Sequence, residues 1–169
     1  GKLLWNATVP RPPNNMPAIG RLAGRTGLSV VQPIGQQVLK GAPTDVYALD
    51  AETGEVQWVF NGPAQHGVLQ KGDDNPIAAL QRTLSGVRAI TLPNPWSAPS
   101  VDARGTVFIG SEEGPLYSLR DENGDGKVAG PGEVFTYDAK ACFSGSSSPA
   151  IGRNMMAVAS IDALYVFKG

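Results

Sequence analysis

One segment constrains the fold of this chain more than any other: residues 46–58 have the pattern of a strand, a tight turn and a second strand. Side chains alternate with the two-residue period of an extended chain on both sides of the turn. Asp50 and Thr53 can hydrogen-bond the backbone within the turn, and Gly54 can adopt a positive φ without steric cost. The segment is therefore predicted to be a β-hairpin.

Parts of this hairpin recur along the chain, which makes the hairpin one unit of a repeat. Residues 1–5 copy residues 54–58, and residues 17–21 are identical to residues 149–153. A short strand with tyrosine at its second position recurs at 46–49, 116–119 and 164–167. Corresponding prolines and tyrosines of the later copies lie 50 and 48 residues apart. A period of about 45–50 residues with about four short strands per unit is typical of a β-propeller blade.

The copies divide the chain into three predicted units. Residues 16–60 form one four-stranded blade and residues 96–137 form another. Residues 146–169 supply three strands of a split blade, whose outer strand would be residues 1–5. Residues 61–95 are an insertion between the first two blades. We therefore predict an all-β chain, a partial β-propeller of about three four-stranded blades with a short helical insertion.

Three blades are too few to close a ring, because closed propellers have roughly four to eight. Three explanations stay open. The chain is a piece of a longer propeller, or two copies pair to make a six-bladed ring, or an open partial propeller has its edges covered by a large complex. The first and third are favoured over the dimer. Each makes association with other protein chains the expectation, because exposed edge strands pair readily.

The string Ala-x-Asp-x-x-Thr-Gly-x-x-x-Trp at residues 48–58 resembles the tryptophan-docking motif of the quinoprotein-type (PQQ-like) β-propeller repeat. Residues 96–117 look like the first three strands of another such repeat. The resemblance implies a structural role, in which tryptophan packs between neighbouring blades. The docking residues that it implies are Trp5, Asp50, Thr53, Gly54 and Trp58.

The resemblance does not extend to a quinone cofactor. Quinone-binding members of the family are large eight-bladed propellers with an axial pocket and usually a vicinal cysteine pair. This chain has 169 residues and a single cysteine, Cys142. We therefore expect no PQQ and no quinone dehydrogenase activity.

The sharpest ligand motif lies at residues 121–127, where oxygen-bearing side chains occupy positions 1, 3 and 5 of a calcium-type loop and glycine occupies position 6. Such a turn converges oxygen atoms on a hard cation. The pattern changes later in the loop, because position 12 is Gly132 and the carboxylate, Glu133, follows one residue later. The predicted calcium ligands are Asp121, Asn123, Asp125, the backbone of Lys127, and Glu133. The alternative is an acidic turn that holds no metal.

The insertion is predicted to contain one short helix. Asp74 or Asn75 can cap it, Pro76 suits its first position, and Gly86 would end it. Its apolar side comprises Ile77, Leu80 and Leu84. That stripe must be buried on the chain's own sheet or on a partner, so these three residues are the candidate partner-binding residues.

Composition and charge exclude several classes of function. Fourteen Lys and Arg against fifteen Asp and Glu leave the chain nearly neutral, which excludes a nucleic-acid-binding signature. No apolar run reaches the ~18–20 residues needed to span a bilayer. His66 is the only histidine, so a histidine-based metal site would need carboxylate partners to which nothing in the sequence points.

These observations favour a non-enzymatic scaffold or accessory subunit of a multi-protein assembly, which binds its partners through propeller edges and inserted loops. Two alternatives stay open: a fragment of a larger quinoprotein-like dehydrogenase, and a calcium-dependent ligand-binding or adhesion propeller. The PQQ-like repeat is frequent outside the cytoplasm. The resemblance therefore favours the periplasm, an organelle lumen such as that of the thylakoid, or secretion over the cytosol.

Overall fold

Three antiparallel sheets, formed one after another along the chain, make up the fold. The computed structural model describes residues 1–37, 39–67, 69–73, 75–87, 93–143 and 147–169. Within these residues the sheets have four, four and three strands, and there is one helix. The prediction of a mostly β chain with a short helical insertion is confirmed at this level.

Each sheet is a meander, in which strands adjacent in sequence are adjacent in the sheet. The first sheet contains β1 (Ala18–Gly20), β2 (Ser29–Gly35), β3 (Thr44–Asp50) and β4 (Val56–Asn61). The second sheet contains β5 (Ser100–Val101), β6 (Val107–Gly110), β7 (Pro115–Leu119) and β8 (Val134–Asp138). The third sheet contains β9 (Ala150–Gly152), β10 (Met155–Ala159) and β11 (Leu164–Lys168). Residue 146, at which we placed the start of the third unit, lies outside the described residues.

Residues 1–5 differ from the prediction. We expected them to be the outer strand of the third sheet, but they form no strand and do not pair with β11. They lie against the first sheet instead, where Trp5 contacts the turn between β3 and β4. The contact of the Trp5 ring with that turn fixes the position of the segment, and β11 is left at the edge of a three-stranded sheet.

The first and second sheets pack face to face in a contact that we call the first interface. The first sheet contributes the buried side chains Val31, Val46, Ala48, Trp58 and Phe60. The second sheet contributes Val107, Ile109, Tyr117 and Leu119. The rings of Phe60, Trp96 and Tyr117 meet there with centroids 5.2 to 6.1 Å apart, the tilted and edge-on geometry that aromatic rings favour. This interface is the main core of the molecule.

The second and third sheets pack in the same manner, in the second interface. Leu116, Phe143 and Val158 are buried there, with Met156, Tyr165 and Phe167 partly buried around them. Tyr137 of β8 stacks edge-on against Tyr165 and Phe167, with centroids 5.8 and 5.1 Å away. This core is smaller, and a cleft of about 570 Å³ remains beside it, between the β5–β6 and β9–β10 turns.

The insertion carries the predicted helix, α1 (Pro76–Leu84). The side chain of Asn75 accepts a hydrogen bond from Ala78 N and caps the helix. Gly86 follows the helix with φ +71°, a conformation that glycine adopts without strain. These features confirm the predicted start and end, while Asp74, the other candidate cap, lies outside the described residues. No helix in the described part of the chain is long and apolar enough to cross a membrane.

Candidate functional site

The turn between β3 and β4 is held by its own side chains. Asp50 Oδ1 accepts hydrogen bonds from the backbone N–H groups of Glu52 and Thr53, each at 2.9 Å. Thr53 Oγ1 accepts one from Glu55 N at 3.2 Å. The backbone N–H groups of Thr53 and Glu52 stabilise the charged carboxylate and lower the pKa of Asp50. Three of the predicted docking residues, Asp50, Thr53 and Gly54, thus lie in one hydrogen-bonded turn.

Trp5 packs on this turn. Its Nε1–H donates to Ala51 O at 2.9 Å, and its ring lies over Gly54. A Cβ added to Gly54 would lie 2.8 Å from the ring carbons Cδ2 and Cε3 of Trp5, so only glycine fits beneath the indole. The structure therefore brings together Trp5, Asp50, Thr53 and Gly54. Trp58, the fifth predicted docking residue, is 2% exposed and lies in the first interface.

The acidic loop, residues 121–133 between β7 and β8, is organised around Glu133. Glu133 Oε1 accepts the N–H groups of Glu122 and Asn123 at 3.2 Å, and Oε2 accepts that of Ala129 at 3.0 Å. Glu133 is buried, so these hydrogen bonds compensate for the solvation that its carboxylate loses. The carboxylate that we predicted as the closing calcium ligand therefore accepts hydrogen bonds from backbone N–H groups within the loop.

The side chains of the other predicted calcium ligands also accept hydrogen bonds from the loop backbone, and the backbone of Lys127 is one of the donors. Asp121 Oδ1 accepts from Gly124 N at 2.9 Å, and Asn123 Oδ1 and Asp125 Oδ1 accept from residues two further along at 2.8 Å. Asp121 is buried, whereas Asn123 and Asp125 are exposed. Within the described residues, no group of three or more His, Cys, Asp or Glu side chains is arranged to hold a metal ion. Calcium binding stays a prediction.

The acidic loop also joins the second sheet to the first. Val59 N of β4 donates to Gly126 O at 3.1 Å, and Val128 N donates to Val59 O at 3.0 Å, so Lys127 pairs with Val59 in a short parallel bridge. Arg25, in the turn after β1, donates from Nη2 to Asp121 Oδ2 at 2.9 Å. The loop therefore covers one end of the first interface with backbone and charged contacts.

A buried acid that sequence reasoning missed lies at the opposite end of the first interface. Glu112, in the turn between β6 and β7, is 3% exposed, and within the described residues neither of its carboxylate oxygens makes a hydrogen bond of good geometry. Burial raises the pKa of Glu112 to about 7, and the nearby Gln65 side chain and Asn94 backbone offset only part of that rise. The signal in the sequence was slight: two adjacent glutamates in a short turn.

The insertion covers Glu112. Lys71 N donates to Glu112 O at 3.1 Å, and His66 contacts the next residue, Glu113, twice. His66 N donates to Glu113 Oε1 at 2.7 Å, and His66 Nδ1 lies 2.8 Å from Glu113 Oε2. An open cavity of about 450 Å³ beside them is lined by these side chains and by Tyr117. Burial raises the pKa of Tyr117 to about 12, so its phenol stays protonated at neutral pH.

The predicted partner-binding residues of α1 are exposed. Ile77, Leu80 and Leu84 point away from the sheets, and the helix buries Ala79 instead. Arg82 joins the helix to the part of the insertion that precedes it, through hydrogen bonds with Gly72 O and Asp73. The alternative in which the apolar stripe packs on the chain's own sheets is therefore wrong, because all three side chains are more than half exposed and the helix buries Ala79 instead.

Both ends of the row of sheets expose apolar side chains. In the second sheet, we call the face toward the third sheet its trailing face and the face toward the first sheet its leading face. The corresponding faces of the first and third sheets carry the same names. On the trailing face of the third sheet, Met155, Leu164 and Val166 are exposed. On the leading face of the first sheet, Ile19 is exposed, and its partner across the strands, Val30, is partly so.

The chain matches no protein-family model, and a search of curated proteins also gives no match.

Proposed function

We propose that this chain is a non-enzymatic scaffold or accessory subunit of a multi-protein assembly, built from PQQ-like propeller blades. The observation that carries the proposal is the presence of exposed apolar side chains on both outer sheet faces; on the first sheet they lie on the same face as Ile34 and Leu49, which the chain itself buries. Ile19, on the leading face of the first sheet, is 66% exposed, and Val166, on the trailing face of the third sheet, is 61% exposed. Exposed apolar faces of this kind mark protein–protein contacts in soluble proteins.

The contact of Trp5 with the turn at Gly54 supports the PQQ-like part of this proposal. A tryptophan from outside a sheet lies over the Thr-Gly turn of that sheet, as the resemblance implies for neighbouring blades. The resemblance favours an extracytoplasmic compartment over the cytosol for the proposed assembly. The exposed stripe of α1 provides a further surface for partner subunits, formed by Ile77, Leu80 and Leu84.

For the acidic loop we propose a structural calcium ion, with Asp121, Asn123, Asp125, the Lys127 carbonyl and Glu133 as ligands. The loop already joins the first and second sheets through Arg25 and Val59. A cation in this loop would therefore stiffen the contact between sheets rather than take part in chemistry. No quinone is part of the proposal.

The first test is the native mass of the protein isolated gently from its source, with its subunits identified. The proposal expects a complex well above the 17.7 kDa of one chain. It contains the chain either in a fixed ratio to other subunits or as a fixed number of copies. Isolation as a free monomer at the concentration found in its source would overturn it. Turnover of a substrate by the isolated chain would overturn its non-enzymatic part.

A further inference from the structure

The two interior interfaces are the same contact made twice. In the first, the leading face of the second sheet presents Val107, Ile109, Tyr117 and Leu119. In the second, the leading face of the third sheet presents Met156, Val158, Tyr165 and Phe167. These residues occupy the same positions in the two sheets, because in each sheet they are two cross-strand pairs of the second and third strands. A leading face of this pattern therefore fits a trailing face in this molecule.

The two outer faces belong to the same two types. On the first sheet, Val30 and Tyr47 occupy the positions of Val107 and Tyr117, while the polar Gln32 occupies that of Ile109. Leu49 occupies the position of Leu119 and is only 4% exposed in the single chain. This leading face has no preceding sheet in the described residues. The third sheet has a trailing face, where Leu164 and Val166 occupy the positions of Val46 and Ala48. The outer face at each end of the molecule thus corresponds in strand position to a face that is packed against a neighbouring sheet inside it.

Residues 1–5 and the edge of the third sheet also complement each other. β11 has a neighbour on one side only, β10, so its outer backbone groups are unpaired by other strands. Residues 1–5 share their first glycine and last tryptophan with residues 54–58, which lead into the fourth strand of the first sheet. They form no strand and expose Leu3 and Leu4. Their Trp5 already lies over the turn of the first sheet. The stretch from there to β1, residues 6–17, is similar in length to the stretch between β8 and β9.

We propose that the chain binds a second copy of itself head to tail. The third sheet of one copy packs its trailing face on the leading face of the first sheet of the other. Residues 1–5 of the second copy add to β11 of the first as the fourth strand of that sheet. This inference rests on the proposed function, because it names the partner for the same two outer faces. The contact is heterologous, so two copies close on each other if the rotation across three sheets allows it, and otherwise the contact propagates.

The proposed contact combines two sources of binding free energy. Apolar side chains leave water on both faces, and the backbone of β11 gains hydrogen bonds from an added strand. Neither face carries a charged side chain at its centre, where Val166 and Ala157 are paired on the third sheet and Ile19 and Val30 on the first. A lysine placed at either centre would bury an ammonium group against apolar side chains, which is unfavourable.

The experiment measures the mass of the chain by light scattering over a wide range of concentration, with Val166→Lys and Ile19→Lys as variants. Both positions are exposed in the single chain, so both variants are expected to fold. The wild type is expected to self-associate. Each variant alone is expected to have a dissociation constant at least about a hundredfold higher. Leu39→Lys, an exposed apolar position outside both faces, is the matched control and is expected to behave like the wild type.

A mixture of the two variants distinguishes head-to-tail contact from symmetric contact. Ile19→Lys keeps an intact third sheet and Val166→Lys keeps an intact first sheet, so the mixture is expected to form dimers and nothing larger. If the contact joined two third sheets, Ile19→Lys alone would associate like the wild type. If it joined two first sheets, Val166→Lys alone would do so. Either result would overturn the proposal.

Hydrogen exchange tests the added strand. In the associated wild type, the amides of β11 and of residues 2–5 are expected to become protected, and in Val166→Lys they are not. Leu3→Pro removes a backbone donor from the added strand and is expected to weaken association roughly tenfold without unfolding the chain. Association without this protection would overturn the role of residues 1–5.

The experiment also separates this inference from the proposed function. If the wild type is monomeric at every concentration, head-to-tail self-association is wrong. If the native complex from the source then loses subunits when Val166→Lys or Ile19→Lys replaces the wild-type chain, the proposed function stands with a different partner on the same faces. If both variants leave that complex unchanged as well, the role that the proposed function gives to the outer faces is wrong too.

Discussion

The first and second interfaces use the same strand positions, yet they differ in how completely they exclude water. The first is covered at one end by the insertion, through Lys71 and Glu112, and at the other by the acidic loop, through Arg25 and Asp121. The second leaves a cleft of about 570 Å³. The clearest single difference is on the outer strands, where Trp58 of β4 is 2% exposed and Phe135 of β8 is 63% exposed.

The difference shows what the outer part of a sheet contributes. Trp58 is covered because the next sheet has a long loop between its third and fourth strands, and that loop pairs with β4. Phe135 occupies the same place in the second sheet, opposite Ser118 as Trp58 is opposite Ala48. In the described part of the chain the third sheet has three strands, and no fourth strand covers Phe135. Burial of the fourth strand of one sheet therefore depends on the loop between the third and fourth strands of the next sheet.

The largest expected effect comes from truncating these two aromatic residues. Trp58→Ala is expected to lower the free energy of unfolding by about 3–5 kcal/mol, because it opens a cavity in the first interface. Phe135→Ala, the matched control, is expected to change it by no more than about 0.5 kcal/mol, because the ring is already in water. Urea denaturation of the two variants checks this. Equal effects would contradict the difference that we draw between the interfaces.

A second pair of variants tests the turns that meet at the first interface. Gly105 has φ +80°, and a Cβ added to it would lie 2.2 Å from Ala23 N. Gly105→Ala is expected to cost about 2–4 kcal/mol, from backbone strain together with the clash. Gly130 has φ +76° and no atom within 4 Å of an added Cβ, so Gly130→Ala is expected to cost about 1–2 kcal/mol from strain alone. Thermal unfolding of both measures the contribution of the contact, and equal costs would mean that the turns separate freely.

The insertion end of the first interface is expected to depend on pH. The folded pKa of Glu112 is about 7, against an ordinary value of 4.5, so the folded state holds a proton that the unfolded state releases. Stability is therefore expected to fall as pH rises from 4.5 to about 7, by at most about 3 kcal/mol. Glu112→Gln removes this titration, so its stability should vary less with pH in that window. Identical pH profiles for wild type and variant would show that the carboxyl is solvated.

The smallest expected effect concerns the acidic loop. If calcium binds there, calcium at about ten times its dissociation constant is expected to raise the free energy of unfolding by about 1.4 kcal/mol. Asn123→Ala combined with Asp125→Ala is expected to abolish the increase, because both side chains are exposed and their removal leaves the buried Asp121 and Glu133 in place. Calorimetry with calcium and with magnesium measures the effect. An unchanged unfolding temperature in calcium would leave the loop as a hydrogen-bonded turn alone.

Local features of the sequence were sufficient to predict much of the fold. Two-residue alternation and turn residues predicted the sheets, and the Asn75, Pro76 and Gly86 signals predicted the helix, because these patterns act through neighbouring residues. Long-range contacts were not predictable in this way. The sequence of residues 1–5 matches that of a strand, but whether they pair depends on a partner strand that is distant in sequence.

The features of the candidate site that were missed share a physical cause. Glu112 is buried because the insertion folds over a turn of the second sheet, and no pattern in either segment reveals that contact. The helix buries Ala79 and leaves the stripe of Ile77, Leu80 and Leu84 exposed. Apolar periodicity alone therefore did not predict which side of the helix is buried.

The meander order of the strands has a consequence for how such a chain can change length. Within the described residues, the strands of each sheet follow one another directly along the chain, so no sheet is threaded through another. Duplication of a gene segment of about fifty codons, the spacing of the repeat, would therefore add or remove one whole sheet at a time. The identical pentapeptides at residues 17–21 and 149–153 contain the first strands of the first and third sheets, β1 and β9. Growth by such steps preserves a leading face at one end and a trailing face at the other, whatever the number of sheets.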